Sequence, residues 1–432
     1  VTIPQAFPLH NQTESGRALA RFAPTLLLLF IAILINYVDR GNLSVAASLV
    51  QQVWHISSSK LGVLFSAFFW TYTAMQFFSG WMTDKLGATL VMGLGFLVWS
   101  LSTAISGLVS GIALLFLMRL MLGVGESVMY PASSKILAEH LPEEARGFAN
   151  GVICAGQKCG PAVGTLAGGM LMARYGWRWT FLWIGLVSLI WVPAWWRWGA
   201  RSSRANCDDA GRSPSTVDIL RQRSFWGVTF AALCGGYEIY FVVIWLPLYL
   251  MKEIHLPMRA MARAAGAFFL IEAASALITG WVADSLIRGG RSPSIVRKSM
   301  MAFGTIIAAA GLLFCAFAGA HAYPWGLALT TVGGGVFSSG YFTFGQTLAG
   351  PLAAGRWVGL QNGLTNVSGI VGPAVTGFLL DRTGGFAVPL IVTAAMTLIS
   401  GWAWVFLTGP LKQVEWTKMP AASPMDTISP VG

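Results

Sequence analysis

Charged side chains are scarce: Asp, Glu, Lys and Arg make up 10% of the 432 residues, against roughly 25% in an ordinary soluble domain. With 55% hydrophobic residues and a mean hydropathy of +0.64, that scarcity excludes a water-soluble globule. Cysteine is scarce too. Five are present (Cys154, Cys159, Cys207, Cys234 and Cys315), none in a C-x-x-C pair. Four lie in apolar segments and read as small buried hydrophobes, which excludes a disulfide framework or a thiolate metal centre. No G-x-x-x-x-G-K-[ST] loop is present, so ATP does not drive the protein directly. The five histidines are scattered, with no H-x-x-x-x-D pairing, so a membrane acyltransferase lacks its base. No metal and no cofactor are expected. The first residues lack a short apolar core followed by a small-residue cleavage site, so the first long helix is expected to act as an uncleaved insertion signal.

What remains is long apolar runs. A bilayer span needs about 20 consecutive apolar residues, because each backbone N–H and C=O must be satisfied within the segment. Such runs predict helices over 22–47, 61–82, 88–109, 111–137, 147–173, 178–198, 224–250, 262–287, 298–319, 323–350, 357–380 and 385–409. The expected fold is an all-α integral membrane protein of twelve transmembrane helices in two six-helix bundles. The domains are residues 1–198, a central loop over 199–223, and 224–432. Trp177, Trp179, Trp245, Trp281 and Trp325 fall near helix ends, where an interfacial belt would place them. The net charge of +11 is spread over short loops and forms no nucleic-acid stripe. It describes orientation instead: 18 Lys and Arg fall on the side of both termini, 7 on the other and 3 inside helices. Both termini are therefore expected in the cytoplasm.

The halves repeat. Gly80-Trp81 with Asp84 recurs as Gly280-Trp281 with Asp284, and Asn150-Gly151 followed by Gly160-Pro161-Ala162-Val163 recurs as Asn362-Gly363 and Gly372-Pro373-Ala374-Val375. A duplicated six-helix unit predicts a pseudo-twofold axis along the membrane normal, a ligand near the midplane between the halves, and alternating access by rocking.

Charges inside hydrocarbon cost about 2.5–3.5 kcal/mol each on insertion scales and tend to face a polar cavity. They are Asp39, Glu126, Glu238 and Glu272 among the acids, and Arg40, Arg119 and Lys158 among the bases. Tyr37, Arg40 and Ser44 share one face of the first helix, with Asp39 displaced by about 100°. Arg119 and Glu126 share a face of the fourth. An Arg holds a carboxylate bidentately and keeps its proton, whereas a buried Asp or Glu can titrate, so these are the parts of a proton-coupled anion carrier. The competing reading is a fixed ion pair that only locks packing.

On the fifth helix, glycines 156, 160, 164 and 168 form a G-x-x-x-G ladder for close helix approach. Gln157 beside it could hydrogen bond a hydroxylated ligand, and Lys158 is either a second anion-binding cation or a partner for one of the acids. Asn362 and Asn366 on the eleventh helix, with Tyr237, Glu238 and Tyr240 on the seventh, suit either a sugar-like ligand or interhelical bonds. Pro247 is expected to kink the seventh helix.

The run Asn36-Tyr37-Val38-Asp39-Arg40-Gly41-Asn42-Leu43-Ser44-Val45-Ala46-Ala47 resembles the first-helix signature of the anion:cation symporters within the major facilitator superfamily. Arg119 to Glu126, Trp245-Leu246-Pro247 and Asn362-Gly363 support the resemblance over nearly all twelve helices. It implies proton carriage by Asp39 and Glu126, and substrate contacts from Tyr37, Arg40, Arg119, Gln157 and Asn362. Lys158, Tyr240 and Asn366 join the expected binding set, with Glu238 and Glu272 as additional members; the charges of Lys158 and Glu238 could favour a different anion. The superfamily's gate motif resembles Gly80, Asp84, Lys85 and Gly87, with Thr89 at its last basic position; Asp84, Lys85 and Asp284 are the expected gating residues.

The expectation is a monomer in a bacterial inner membrane, taking up a small organic anion with protons. The anion expected is a hexuronate, aldonate or aldarate. An anion exchanger, an aromatic or dicarboxylic acid carrier, and a non-transporting receptor of the same fold are the alternatives.

Overall fold

The computed structural model describes residues 10–141, 143–201, 214–318, 322–338, 340–341 and 343–416. Cys207 and the rest of residues 202–213 in the central loop lie outside them, as do the side chains of Asp84, Lys158 and Asp284. Among the described residues no strand forms; the chain is helical throughout. The first half contains α1 (His10–Trp54), α2 (Ser58–Leu86), α3 (Ala88–Ser106), α4 (Ile112–Glu126), α5 (Met129–His140), α6 (Glu143–Val163), a π-helical turn (Gly164–Gly168), α7 (Gly169–Ser188) and α8 (Trp191–Trp198). After the short α9 (Thr216–Leu220), the second half contains α10 (Arg223–Lys252), α11 (Met258–Arg288), α12 (Pro293–Phe317), α13 (Tyr323–Ser338), α14 (Thr343–Thr365), α15 (Val367–Thr383) and α16 (Ala387–Phe406).

Each of the twelve expected segments finds helix. The fourth pass is α4 with α5, and the fifth runs from α6 through the π turn into α7. A sharp turn at Gly176 (φ 78°) splits α7 between the fifth and sixth passes, and Gly350 (φ 64°) splits α14 between the tenth and eleventh. Among the described residues, nine helical segments are long and apolar enough to cross a membrane, one of them the 50-residue stretch Ala149–Trp198 that holds two passes. Gly384, with φ 73°, closes the turn after the eleventh pass as Gly176 does after the fifth. An L-side chain at Gly384 would cost about 1–2 kcal/mol of left-handed strain, and one at Gly176, whose ψ of 164° falls in a region nearly confined to glycine, about 1–3 kcal/mol.

The glycine ladder explains how the fifth pass docks on the first. Gly156 lies against Phe30 and Ile33, Gly160 against Leu34 and Tyr37, Gly164 against Val38 and Gly168 against Asn42. The internal repeat reproduces one of these contacts in the second half, where Gly372 lies against the ring of Tyr237. The repeat also extends further than the motifs first noted: Ala67-Phe68-Phe69 matches Ala267-Phe268-Phe269 at the same 200-residue offset as Gly80 and Gly280.

The two bundles meet along several seams. On the α2–α15 seam, Gly62 abuts the carbonyl of Pro373, Ser66 Oγ donates to the Ile370 carbonyl at 2.7 Å, and Gly369 lies against Phe69. On the α1–α10 seam Ser48 Oγ donates to Met251 Sδ at 3.3 Å, and on the α7–α11 seam Gly169 meets Ala262. These contacts run from the middle of the helices to the end remote from both described termini, so that end is closed.

Two expectations need correcting. Trp179, Trp281 and Trp325 are 57%, 68% and 73% exposed, as an interfacial belt requires, but Trp177 and Trp245 are buried. Trp245 packs edge-on against Phe65 across the bundles and Trp177 against Trp54, so both serve helix packing. Of the described cysteines only Cys234 and Cys315 are buried; Cys159 is partly exposed and Cys154 exposed. Gly156 turns its face to α1, and Cys154, about 200° around the same helix, points away. Pro247 sits within the continuous α10.

Candidate functional site

The core of the site forms where α1, α2 and α4 cross. Arg40 Nε donates to Glu126 Oε2 at 2.8 Å, with side-chain exposures of 10% and 0%. The cation of α1 thus pairs with the acid of α4, not with a neighbour on its own helix. A buried pair of this kind is stable only while both members are charged, because removing either leaves an uncompensated charge in low dielectric. The Arg40 guanidinium also lies over three rings: Tyr37 at 4.7 Å, Phe68 at 5.0 Å and Tyr72 at 4.5 Å. Such faces attract a cation through their quadrupole.

Asp39, one residue earlier, points elsewhere, as its 100° displacement requires. It is buried, accepts from Asn42 Nδ2 at 3.4 Å, and lies within electrostatic reach of Glu126 and Arg119. Arg119 is 4% exposed, its guanidinium 5.4 Å from the Phe68 centroid and its Nε without a hydrogen-bond partner. A buried guanidinium donor left unmatched is available to an anionic ligand. Two acids and two permanent cations therefore share one electrostatic cluster with no formal net charge.

A polar rim extends from the cluster. Gln157 Nε2 donates to Tyr37 Oη at 2.8 Å, and Tyr37 Oη meets Tyr130 Oη at 3.2 Å. The second bundle contributes Tyr240, whose hydroxyl donates to Asn366 Oδ1 at 2.6 Å; Asn366 Nδ2 donates to the Asn362 carbonyl at 2.8 Å. The bundles touch here, since Asn362 Nδ2 donates to Gln76 Oε1 at 3.4 Å and Phe69 packs edge-on to Tyr240 at 4.6 Å. Hydroxyls and amides around a charged centre suit a hydroxylated carboxylate.

Glu238, Glu272 and Lys85 have no contact with this cluster among those described. Glu238 is buried on α10 and faces Gly334 of α13 inside the second bundle, and Glu272 is half-buried on α11. Lys85 lies over the Trp81 ring at 5.0 Å. Thr89, where the gate motif has a base, instead donates to the Ala200 carbonyl at 2.6 Å and ties the third pass to the end of the sixth. The expected roles of Asp84, Lys158 and Asp284 fall on side chains outside the described residues.

Sequence reasoning missed Phe68, Tyr72, Gln76 and Tyr130. Phe68, Tyr72 and Gln76 recur every four residues along α2, and Tyr130 follows Glu126 by four, so helical periodicity alone puts each set on one face.

The model of the Major Facilitator Superfamily matches residues 29–296 of the chain. Among curated proteins, a D-galactonate transporter of Escherichia coli O6:H1 is 28% identical, covering 94% of this chain and 99% of its own length. A probable sulfoacetate transporter of Cupriavidus necator is 29% identical over 90% and 93%, and a hexuronate transporter of Bacillus subtilis 27% identical over 90% and 95%. Among solved structures, a bacterial homolog to the human lysosomal transporter Spinster, crystallised inward-facing and unoccupied, covers 90% of this chain and 97% of its own at a TM-score of 0.77 and 16% identity. The family match over more than half the chain establishes that the chain belongs to the Major Facilitator Superfamily.

Proposed function

We propose that this protein carries a small organic anion, a sugar acid of the hexuronate, aldonate or aldarate kind, into the cytoplasm together with protons. Its place is a bacterial inner membrane with both termini cytoplasmic, and bundles 1–198 and 224–432 rock about the site on the linker 199–223. The observation that carries the reading is the buried Arg40–Glu126 pair. While Glu126 is ionised it occupies the guanidinium. A proton on Glu126 cancels that attraction and releases Arg40 for the carboxylate of an entering anion, which in turn replaces the lost negative charge. Arg119 with its unmatched Nε is the second cation for the same anion, and Asp39, within reach of Arg119 and Glu126, is the second proton carrier.

The rim of Tyr37, Gln157, Tyr240, Asn362 and Asn366 supplies donors and acceptors for sugar hydroxyls. Relatives named as transporters of D-galactonate, hexuronate and, as probable, galactarate/D-glucarate support this substrate class. With two protons per monovalent anion one positive charge enters, and the membrane potential adds about 2.3 kcal/mol per 100 mV.

The test is uptake of labelled D-galactonate, D-glucuronate and D-glucarate by proteoliposomes under an imposed pH gradient. Accumulation that follows the gradient supports symport. Equal flux without a gradient, dependent on anion inside the vesicle, identifies an exchanger; binding without flux identifies a receptor.

A further inference from the structure

The closed end of the molecule carries a polar device that the site does not use. Asp381, near the C-terminus of α15, accepts from the backbone N–H of Ser58 at 2.8 Å and of Ser59 at 2.7 Å, one on each carboxylate oxygen. These are the first two residues of α2, whose N-cap Ser57 accepts from the Lys60 N–H at 3.2 Å. A carboxylate from the second bundle therefore completes the capping of a helix of the first. It satisfies donors that have no intrahelical partner and sits at the positive end of the helix dipole. Lys252, at the end of α10, lies within electrostatic reach of Asp381, and Gly377, one turn back on α15, packs on the Ser58 carbonyl.

The internal repeat sharpens the significance of this contact. The 212-residue offset that relates Gly160 to Gly372 sets Gly169 against Asp381, and the 200-residue offset sets Met258 and Arg259 against Ser58 and Ser59. At that equivalent seam Gly169, which has no side chain to offer, packs against Ala262 and Val45. The duplicated fold thus has two equivalent seams at its closed end, one with a glycine packed on apolar side chains at this position and one with a carboxylate on a helix terminus. Opening the α2–α15 seam must separate Asp381 from the two N–H groups and return all three to water.

We propose that Asp381 is a gating latch: it holds the bundles together at the end remote from the termini, and its release from the α2 N-terminus is a required step in exposing the site to that side. The contact acts on the equilibrium between closed and open states. It does not depend on which anion is carried or on proton coupling.

The experiment measures how often that end opens. Ser48, on the separate α1–α10 seam and 6% exposed, is replaced by Cys in a chain whose native cysteines are removed, and its maleimide labelling rate is measured in nanodiscs. Asp381→Asn removes the charge and one acceptor. Ser58→Pro removes one donor from the other side of the contact; proline is accepted at the first helical position, and Ser57, at φ −71° and ψ 164°, already has the extended backbone that precedes proline. Each change is expected to raise labelling roughly tenfold, the order set by losing one charge-assisted hydrogen bond. The double variant should go no further than the larger single, because both changes break the same contact. Unchanged labelling in the two single variants, or increases that multiply in the double, would overturn the latch. Because no anion and no pH gradient enters the measurement, failure of the transport reading leaves this result readable.

Discussion

Glu126, fully buried on α4, receives the Nε–H of Arg40 from α1 at 2.8 Å. The two residues are 86 positions apart, and a proton on one decides what the other can bind. Replacing Glu126 with Gln mimics the protonated state in shape while removing the titration. The variant is expected to bind sugar acid with an affinity that varies less with pH, the remainder being set by Asp39, whereas the unmodified protein binds more tightly as pH falls and Glu126 takes up its proton. Calorimetric titration at several pH values checks this. Proteoliposomes containing Glu126→Gln should exchange anion across the membrane yet build no gradient-driven accumulation, and Asp39→Asn should likewise lose accumulation. Accumulation at the unmodified level in both variants would count decisively against proton coupling through these groups.

Arg119 presents an unmatched donor inside the same cluster. Arg119→Ala is expected to weaken anion binding at least a hundredfold, since a buried charge-assisted contact contributes about 3 kcal/mol when its partner would otherwise stay unpaired. Arg119→Lys should recover little of that loss, because an ammonium cannot present the planar fork of a guanidinium to a carboxylate. Equal affinities of Arg119→Ala and the unmodified protein, measured by the same titration, would remove this residue from the binding site.

Much of the architecture was legible before any coordinates, and for physical reasons. A hydrocarbon slab forces apolar residues into runs long enough to close their own hydrogen bonds, so all twelve expected segments were found as helix. The ladder from Gly156 to Gly168 declared a close helix contact, and the contact is with α1. The intramembrane charges were equally visible, because few places in such a chain tolerate them. What the sequence did not disclose was which charge pairs with which. Arg119 and Glu126 share a helix face seven residues apart, yet Glu126 bonds Arg40 on another helix, a choice made by helix rotation and not by spacing. Aromatic side chains were ambiguous for a similar reason: Tyr72 at Arg40 and Trp281 facing outward both sit inside long helices, and what separates them is the side from which a bundle meets each. Asp381 passed as an ordinary loop acid, since its partners are backbone N–H groups more than 300 positions away.

The contribution of the second bundle is testable at Tyr240. Its hydroxyl donates to Asn366 at 2.6 Å, and that amide in turn reaches the Asn362 carbonyl. Tyr240→Phe removes one donor from a buried chain and leaves the Asn366 acceptor unmet, at a cost of about 1–2 kcal/mol. A five- to thirtyfold loss of affinity for sugar acids is expected, with less loss for a small carboxylate such as acetate that has no hydroxyls to be oriented. A uniform loss across both ligands would instead make Tyr240 a packing residue.

Helix packing supplies a prediction independent of transport. A side chain at Gly160 would enter the space held by Tyr37, whereas one at Gly151 meets nothing within 4 Å. Both glycines lie in α6, so both lose the same backbone freedom on folding. Gly160→Val is expected to destabilise the protein by about 1–3 kcal/mol through overpacking and to shift Tyr37 away from Gln157 and Tyr130. Gly151→Ala should leave stability unchanged or raise it by up to about 1 kcal/mol, the helix-propensity difference between the two residues. Thermal melting in detergent compares the pair directly. If Gly160→Val melts at or above the unmodified protein, α1 and α6 do not approach as closely as the ladder requires, and the placement of Tyr37 and Arg40 that depends on that approach falls with it.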